Sequence, residues 1–433
     1  MCESRAQAQR PTFSIVTLGC KVNQYDGQAI RESLSRAGYR EVAFGLPCDV
    51  SIINTCTVTA QARRKSHKHI YQAARTNPHS AVLVTGCLAE VEPDKIAAIP
   101  GVTRAVPRSL AGSLPEILRG EGVEHGSVFD LRISSFAEHT RAFLKVQDGC
   151  DGSCAYCIVP RARGPARSRD LQDARSEAER LIASGFREIV LCGIHLGAYG
   201  KDLDWRVRLE DLIEAFLPLA GLERLRLSSI EVNEVTDRLI GLMVQEPRLC
   251  PHLHIPLQSG DDFILRAMNR RYTAAEYLVT IERVRARVEN PSFTTDVLAG
   301  FPGESEEQFE KTLLLCRAVG FSRMHVFPFS ARPGTPAATL RGRVRDCAIR
   351  QRDARAREVA QELALEYKKQ FVGKRVSPLV EHQRDGRSGK LCGRTERYLQ
   401  VIFDGPDNLM GRIVPVRAAH ATPEALHGCA ENP

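Results

Sequence analysis

The chain lacks the long apolar segments that membrane insertion or secretion would require. It has no run of eighteen consecutive apolar residues, about the length that a membrane-spanning helix needs. Its first ten residues are polar, without the apolar stretch of a signal peptide. We therefore expect no membrane partner and predict a cytoplasmic protein, whose 433 residues provide for two or three domains.

Cysteine, by contrast, is abundant. Fourteen cysteines in a chain without a secretion signal indicate reduced thiols that serve metals, because disulfide frameworks belong to oxidising compartments. The net charge of +8, from 60 Lys and Arg against 52 Asp and Glu, is weak evidence for a polyanionic partner.

Three of the cysteines lie together in the run Gln147-Asp-Gly-Cys150-Asp-Gly-Ser-Cys154-Ala-Tyr-Cys157. Three thiolates at C-x3-C-x2-C spacing can hold three irons of a four-iron cluster and leave the fourth iron open to a small molecule. The alternative is structural zinc, which takes a fourth Cys or His ligand. No further Cys or His follows within twenty residues, so the spacing favours an iron–sulfur cluster.

A second pattern occurs three times in residues 12–120. A β-branched, mostly apolar run ends in cysteine, and a helix-like stretch follows it. This alternation predicts a small doubly wound α/β domain with a parallel sheet. The predicted strands are 13–20, 50–56 and 81–87, and the predicted helices are 26–37, 59–74 and 92–98.

The three cysteines that end these strands are Cys20, Cys56 and Cys87. Ligands collect at the carboxyl ends of the strands in such sheets, so the three thiols are expected to converge on a second cluster site. The alternative is that each is a small buried hydrophobe. The remaining cysteines show no such placement, and we interpret them as structural or incidental: Cys2, Cys48, Cys192, Cys250, Cys316, Cys347, Cys392 and Cys429.

Residues 142–369 also alternate strands with helices. Six βα units predict a parallel sheet curled into a partial barrel, with active-site residues at the carboxyl ends of the strands. The Cys150 triplet follows the first of these strands, as that architecture requires. The predicted strands are 142–146, 188–192, 224–228, 252–256, 294–299 and 324–329, and the helices between them are 170–184, 209–217, 235–245, 274–287 and 305–318.

Several loops after these strands are candidates for ligand contact. Gly193 follows the second strand, Ser229 the third and Gly300 the fifth. Glycine allows a backbone to approach a ligand closely, although it also marks ordinary turns. Histidines in the same region are interpreted as satisfied polar or core residues rather than ligands: His195, His252 and His254.

The C-terminal part changes character after a long basic helix at 344–370, which we interpret as a solvated face rather than a nucleic-acid contact. Short strands at 375–381, 398–403 and 411–416 predict a small β-barrel. Residues 371–420 contain nine Lys and Arg against five Asp and Glu. Small basic barrels commonly bind RNA, so this part is predicted to contact RNA.

Taken together, these motifs resemble the radical S-adenosylmethionine methylthiotransferases over nearly the whole chain. The Cys150 triplet with Tyr156 before its last cysteine is similar to the cluster motif of radical S-adenosylmethionine enzymes, and the C-terminal barrel to the TRAM module. The other matching motifs are Thr17-Leu-Gly-Cys-Lys-Val-Asn-Gln-Tyr-Asp26, Asn54-Thr-Cys56, Thr85-Gly-Cys87, Ile158-Val-Pro-Arg-Ala-Arg-Gly164, Pro256-Leu-Gln-Ser-Gly260 and Gly300-Phe-Pro-Gly-Glu304.

The resemblance implies two [4Fe-4S] clusters, one on Cys150, Cys154 and Cys157 and an auxiliary one on Cys20, Cys56 and Cys87. Reduction of S-adenosylmethionine at the first would give a 5′-deoxyadenosyl radical that abstracts hydrogen from carbon 2 of an adenine. The auxiliary cluster would supply the sulfur, methylated by a second S-adenosylmethionine. The cofactors carry this chemistry, and no general acid or base is predicted.

The resemblance also implies partners and domains. The partners are tRNA, S-adenosylmethionine, an electron donor such as flavodoxin or ferredoxin, and a sulfur source. The expected domains are 11–122 with the auxiliary cluster, 136–369 as the radical core and 370–433 as the RNA-binding barrel. Gly193, Ser229 and Gly300 are the candidates for the S-adenosylmethionine pocket.

The residues around Cys20 indicate a branch of the family. Gly19-Cys-Lys-Val-Asn23 is similar to enzymes acting on N6-threonylcarbamoyladenosine at position 37 of tRNA. The isopentenyladenosine branch usually carries Gly-Cys-Gln-Met-Asn there, and the ribosomal-protein branch Gly-Cys-Pro-Lys-Asn. Arg161 departs from the aromatic residue common in relatives, which leaves its role open. The alternatives are either of those other targets, or a non-catalytic iron–sulfur protein that binds RNA and senses redox state.

Overall fold

The computed structural model describes residues 10–76, 78–123, 126–136, 139–203 and 207–431, so that Cys2 lies outside the described residues. They divide into two compact units. Unit 1 extends to Ser134 and includes the segment Ile158–Pro165, and unit 2 comprises Ser135–Cys157 and the chain from Ala166 onward. Within the described ranges, no helix is long and apolar enough to cross a membrane.

Unit 1 is built on a parallel sheet of five described strands in the spatial order β2-β1-β3-β4-β5. The β-branched residues of its central strand are buried throughout, as in a strand covered on both faces. This confirms the predicted doubly wound domain. The strands are β1 (Thr12–Thr17), β2 (Arg40–Glu41), β3 (Val50–Thr55), β4 (Ala81–Gly86) and β5 (Arg104–Ala105).

The helices of unit 1 begin close to the strand ends. The first starts at Lys21, five residues earlier than the sequence predicted, so Cys20 directly precedes it. The stretch predicted as one helix at 92–98 is preceded by a further short helix that starts at Cys87. The helices are α1 (Lys21–Arg36), α2 (Ala60–Thr76), α3 (Cys87–Val91), α4 (Pro93–Ala97), α5 (Leu114–Leu118) and α6 (Val159–Arg163).

Unit 2 begins with a curled parallel sheet. Its strands β6, β9 and β10 pair in parallel, as do β11, β12 and β13. Isolated parallel bridges at Leu225–Leu249 and Ser229–His254 join the two halves. The predicted six-stranded partial barrel is therefore confirmed. The strands here, with β7 and β8 as a short antiparallel pair, are β6 (Ala142–Lys145), β7 (Gln147–Asp148), β8 (Arg167–Ser168), β9 (Glu188–Cys192), β10 (Arg224–Leu227), β11 (His252–His254), β12 (Ser292–Ala299) and β13 (Arg323–Pro328).

The barrel helices start at side-chain caps that the sequence supplies. Asp170, Thr236, Thr273 and Ser305 each accept a hydrogen bond from a backbone N–H in the first turn of the following helix. The helices are α7 (Leu171–Ala183), α8 (Leu209–Phe216), α9 (Asp237–Gln245), α10 (Asp262–Ala267), α11 (Ala274–Arg285), α12 (Glu306–Val319) and α13 (Asp346–Lys369).

The C-terminal part is a curled sheet in the order β14-β18-β19-β17-β16-β15, consistent with the predicted small barrel. The strand predicted at 411–416 is wrong, because Gly411 adopts φ +74° and Pro415 has no N–H for a ladder. Pro378 likewise interrupts the strand predicted at 375–381. The strands are β14 (Arg375–Val376), β15 (Leu379–Val380), β16 (Leu391–Arg394), β17 (Gln400–Asp404), β18 (Val416–Ala421) and β19 (Leu426–Ala430).

Tyr398 joins this sheet to the amino-terminal ends of the barrel strands within unit 2. Its ring lies 4.9 Å from the guanidinium carbon of Arg226 and 4.7 Å from that of Arg394. Arg226 also donates hydrogen bonds to the backbone oxygens of Thr395 and Glu396, at 3.0 and 2.8 Å. Because these groups are largely withdrawn from water, such cation–π contacts stabilise the junction by about 1 kcal/mol each.

Candidate cluster and substrate site

The Cys150 triplet lies in the loop that follows β7, and its three thiols are half-buried. Gln147 fixes the start of this loop. Its amide nitrogen donates to the backbone oxygens of Asp148 and Gly149 at 2.9 Å, and its amide oxygen accepts the N–H of His195 at 2.8 Å. The loop after β9 is thereby tied to the base of the cysteine loop.

Polar groups surround the sulfur of Cys150. The N–H of Gly152 donates to it at 3.2 Å, and Nδ1 of His195 lies 3.6 Å away. Nε2 of His195 is 2.9 Å from Glu234. Burial disfavours the charged imidazolium, but the Cys150 thiolate and Glu234 outweigh it and raise the pKa of His195 to about 10.

A second cation lies beside Cys154. Nη1 of Arg270 is 3.5 Å from the sulfur, and the same guanidinium pairs with Glu231 and lies over the ring of Tyr272. Asn269 donates to the backbone oxygen of Ser153 at 2.8 Å. Positive charge next to thiolates favours their ionised form, which is the form that binds metal.

The last part of the triplet loop rests on an apolar cluster. Ala155 belongs to that cluster with Ile264, Met268 and Phe301, and Tyr156 packs against it. The N–H of Ala155 donates to the backbone oxygen of Met268 at 2.9 Å. The loop is therefore held by α10 and the residues that follow it, which fixes where its thiols can point.

The donor set fits a four-iron cluster. Across the described ranges, no three His, Cys, Asp or Glu side chains converge as ligands of a single metal ion. A four-iron cluster binds each thiolate through a different iron, so it does not require that convergence. Cys150, Cys154 and Cys157 with the neighbouring Arg270 and His195 supply three thiolates and two positive charges for such a group.

The three candidates for the S-adenosylmethionine pocket lie where the sequence placed them, after β9, β10 and β12. Gly193 approaches Gln147 so closely that an added Cβ would lie 2.9 Å from its amide oxygen. Ser229 takes part in the bridge to His254. Gly300 adopts φ +82° and donates its N–H to Glu304 at 2.7 Å, which gives it a structural role in the turn.

Sequence reasoning overlooked several residues around the triplet. His195 was interpreted as a satisfied polar or core residue, yet it lies beside Cys150. His252 and His254 do fit that interpretation, because both contact the Thr294 hydroxyl, at 3.1 and 2.9 Å. Gln147 stood next to the motif and could have been suspected, and Glu231 lies in the candidate loop after β10, whereas no pattern marked Glu234 and Arg270.

In unit 1, Cys20, Cys56 and Cys87 lie at the carboxyl edge of the sheet, after β1, β3 and β4. The backbone at Gly19, with φ +104°, passes so close that an added Cβ would lie 2.8 Å from the Cys56 sulfur. Burial, and then negative charge on Cys87 and Cys20, raises the pKa of the Cys56 thiol to about 12. Gly19, the neighbour of Cys20 in sequence, thus lies beside the Cys56 thiol.

Around Cys87, buried arginines act against the rise in thiol pKa that burial causes. Burial raises the pKa of the Cys87 thiol, while Arg163 and Arg108 lower it. Arg163 donates to the side-chain oxygen of Asn23 at 2.8 Å, and both arginines lie within 4 Å of the Asp26 carboxylate. Arg161, on the same short helix as Arg163, is exposed. Unit 1 thus surrounds its three thiols with buried positive charge.

The remaining described cysteines differ in their burial. Cys192, Cys250 and Cys316 are buried, Cys48 and Cys392 are half-buried, and Cys347 and Cys429 are exposed. Burial raises the pKa of both Cys250 and Cys316 to about 12, which keeps these thiols protonated. They have the properties expected of structural or incidental cysteines.

The fold of unit 2 and its cysteine loop are those of the radical S-adenosylmethionine class of enzymes. Residues 144–316 match the Radical SAM superfamily, and residues 12–106 match a family described as Uncharacterized protein family UPF0004. Among solved structures, the radical S-adenosylmethionine methyltransferase TsrM of Kitasatospora setae is similar, with a TM-score of 0.57. It is 14% identical, and the match covers 76% of this chain and 77% of that one, so the likeness concerns the fold alone.

Curated relatives match almost end to end. The threonylcarbamoyladenosine tRNA methylthiotransferases MtaB of Bacillus subtilis and Chlamydia pneumoniae are 35% and 38% identical, over 95% and 96% of this chain and 94% and 97% of theirs. A tRNA-2-methylthio-N(6)-dimethylallyladenosine synthase of Mycobacterium ulcerans is 35% identical over 96% of this chain and 83% of its own length. The chain belongs to the radical S-adenosylmethionine tRNA methylthiotransferases. It is an enzyme of that family, which uses S-adenosylmethionine and a [4Fe-4S] cluster.

Proposed function

We propose that this enzyme methylthiolates carbon 2 of N6-threonylcarbamoyladenosine at position 37 of tRNA. Overall identity does not separate the branches, since relatives named for the dimethylallyl substrate are 33% to 35% identical and those named for the threonylcarbamoyl substrate 35% to 38%. The run Gly19-Cys-Lys-Val-Asn23 is the observation that carries the choice. In the structure, Asn23 of this run donates to the backbone oxygens of Leu18 and Thr55, at 2.6 and 3.0 Å.

A second [4Fe-4S] cluster on Cys20, Cys56 and Cys87 completes the proposal. It is supported by the common sheet edge of the three cysteines and by the buried Arg108 and Arg163. With both clusters and S-adenosylmethionine bound, the cofactors supply a 5′-deoxyadenosyl radical and the sulfur to be inserted. The protein's part is to bind and orient these groups and to exclude water.

The residues around the Cys150 triplet have positioning roles in this proposal. Gln147 fixes the loop, while His195 and Arg270 place positive charge beside two of the thiolates. Gly193 and Ser229 are our proposed backbone and side-chain contacts to S-adenosylmethionine. Gly300 is our third proposed contact to S-adenosylmethionine, because it forms the turn that follows β12.

Partners and domains follow the same scheme. An electron donor such as flavodoxin or ferredoxin would reduce the first cluster, and a sulfur source would replenish the second. We divide the chain into an auxiliary-cluster domain at 11–122, a radical core at 136–369 and an RNA-contacting C-terminal domain at 370–433. Residues 432 and 433 of that last range lie outside the described residues.

Mass spectrometry of tRNA nucleosides tests the substrate. A strain without this gene should accumulate threonylcarbamoyladenosine and lose its 2-methylthio derivative, and the gene restored on a plasmid should reverse both changes. An unchanged methylthio derivative would refute the assignment, and loss of the methylthio-isopentenyl nucleoside instead would move the enzyme to the neighbouring branch. Loss of a methylthiolated aspartate from a ribosomal protein would identify the third target.

A second measurement distinguishes an enzyme from a redox sensor. The anaerobically reconstituted protein should contain about eight irons, as two four-iron clusters require. After chemical reduction it should convert S-adenosylmethionine to 5′-deoxyadenosine. If iron is bound but no 5′-deoxyadenosine forms, the alternative of a non-catalytic iron–sulfur RNA-binding protein is correct.

A further inference from the structure

Helix α2 of unit 1 presents a basic surface that the cluster chemistry does not use. Its seventeen residues contain five cations and no aspartate or glutamate. Ser66, Ile70 and Ala73 are buried at helical spacing and hold the helix on the sheet. The opposite face is exposed and carries what we name the α2 stripe: Arg64, Lys65, Lys68, Tyr71 and Arg75.

Within the described part of the chain, the cations of the α2 stripe have no acidic partners. Arg63, the fifth cation of the helix, pairs with Glu92 at 2.7 Å and is thereby used within unit 1. Among the residues that the structure describes, Arg64, Lys65, Lys68 and Arg75 form no ion pair or side-chain hydrogen bond. Four positive charges on one helix face repel one another, and a polyanion would relieve that repulsion.

Other basic regions of the chain contain more ion pairs than the α2 stripe. The C-terminal sheet was predicted from the sequence to contact RNA, and the long helix α13 was interpreted as a solvated face, yet many cations of both are paired with carboxylates. The pairs on α13 are Arg352–Glu304, Arg355–Glu310 and Arg357–Asp353, and those on the sheet are Arg384–Asp407, Lys390–Asp404 and Arg417–Glu431.

The buried face of helix α2, opposite the α2 stripe, is hydrogen-bonded to an auxiliary cysteine. The hydroxyl of Ser66 accepts the N–H of Cys56 at 3.0 Å and donates to the backbone oxygen of the same residue at 2.9 Å. Lys65 is the neighbour of Ser66 in sequence. A polyanion bound along the first half of α2 would therefore lie near the thiols at the carboxyl edge of this sheet.

Tyr71 of the stripe and the neighbouring His67 form an aromatic surface suited to stacking on bases. The rings of His67 and Tyr71 stack with centroids 6.4 Å apart and planes 27° apart, and Tyr71 is 49% exposed. RNA loops are commonly bound by cations that contact phosphates next to aromatic rings that stack on bases. An acidic protein partner would pair with the cations but would have no base to stack on the Tyr71 ring.

We infer that the α2 stripe is an RNA-binding surface, which takes the phosphates of the tRNA anticodon arm and brings the target adenine to the auxiliary cysteines. The inference rests on the proposed tRNA substrate and extends it to a surface outside the C-terminal sheet. An acidic electron donor is the alternative occupant, and the adjoining rings of His67 and Tyr71 favour RNA over it.

The test compares three triple variants of the full reconstituted enzyme for binding to an RNA hairpin with a tRNA anticodon-arm sequence. Arg64→Gln/Lys65→Gln/Lys68→Gln should weaken binding at least about tenfold at low salt and reduce the slope of log affinity against log salt by about two to three. Arg64→Lys/Lys65→Arg/Lys68→Arg keeps the charge and should bind like the parent.

The matched control is Arg40→Gln/Lys95→Gln/Arg104→Gln. It removes the same charge from exposed positions of unit 1, on β2, α4 and β5. This control should bind RNA within about twofold of the parent, since its cations would lie outside the contact. Equal loss in the control and the α2 variant would show a general charge effect and overturn the inference.

Further outcomes separate this inference from the proposed function. If the parent modifies threonylcarbamoyladenosine tRNA while the α2 variant binds RNA normally, the inference fails and the function stands. If the α2 variant loses RNA binding although the parent modifies another RNA, the inference stands and the substrate assignment fails. If the variant binds RNA normally and is slow only with flavodoxin, not with dithionite, the stripe docks an acidic protein and the inference is wrong.

Discussion

The two groups of cysteines are built in opposite ways. Cys150, Cys154 and Cys157 lie in one loop, half-buried, with His195 and Arg270 brought to them from later loops. Cys20, Cys56 and Cys87 come from three strand ends more than thirty residues apart, and two of them are buried. The first group depends on local sequence, whereas the second exists only when the parallel sheet has formed. This difference predicts that changes to each group will have separable consequences.

Removing one cysteine from each group should give the largest effects. Cys150→Ala should abolish 5′-deoxyadenosine formation, because the radical-forming cluster would lose one of its three ligands. Cys20→Ala should keep that activity but lose all methylthiolated product, because in the proposed function only sulfur insertion would need the auxiliary cluster. Both products can be measured by mass spectrometry in the same reaction.

Cys347→Ala is the matched control for this pair, since Cys347 is exposed on helix α13 and belongs to neither group. It should leave 5′-deoxyadenosine and product unchanged. Equal loss of 5′-deoxyadenosine in Cys150→Ala and Cys20→Ala would contradict separate roles for the two groups.

A backbone change should disrupt the sheet group without touching the loop group. Gly86 precedes Cys87 with φ +88°, and an added Cβ would lie 2.5 Å from the backbone oxygen of Thr55. Gly86→Ala should lower the iron content from about eight toward about four per chain, because a cluster needs its thiolates held in place. Iron analysis should therefore show the loss of iron, and the rate of 5′-deoxyadenosine formation should stay at that of the parent.

Gly38→Ala provides the comparison, because Gly38 has a similar φ of +92° with nothing within 4 Å of the added Cβ. It should cost stability by about 1 kcal/mol through backbone strain but keep its full iron content. If both alanine variants lose iron to the same extent, backbone strain in general, and not displacement of Cys87, explains the loss of iron.

The smallest expected effect concerns the environment of the loop group. His195→Ala removes the imidazole 3.6 Å from the Cys150 sulfur and leaves Glu234 without that partner. The rate of 5′-deoxyadenosine formation should fall about tenfold, as is typical when a neighbour of a metal ligand is lost. Iron content should stay near that of the parent. His427→Ala, in the C-terminal sheet, should change neither quantity, and a similar fall in that variant would contradict a local role for His195.

Much of the fold was predictable because its signals are local. Buried parallel strands appear as β-branched runs, and helices begin at caps such as Asp170 and Ser305, so the doubly wound domain and the partial barrel followed from pattern alone. The C-terminal strands were harder to predict. Their boundaries depend on Pro378, Gly411 and Pro415, whose effects on a short, irregular sheet outweigh the apolar pattern around them.

The sequence by itself determined the spacing of the Cys150 triplet, the strand-end positions of the other three cysteines and the absence of long apolar segments. Only the tertiary structure decided which distant groups lie beside those thiols. Arg270 and Glu234 come from other loops of the barrel, and Arg163 reaches Asn23 across 140 residues of sequence. Likewise, the cations of the α2 stripe form no ion pair with the residues that the structure describes, since a cation's partner depends on which carboxylate folding brings near it.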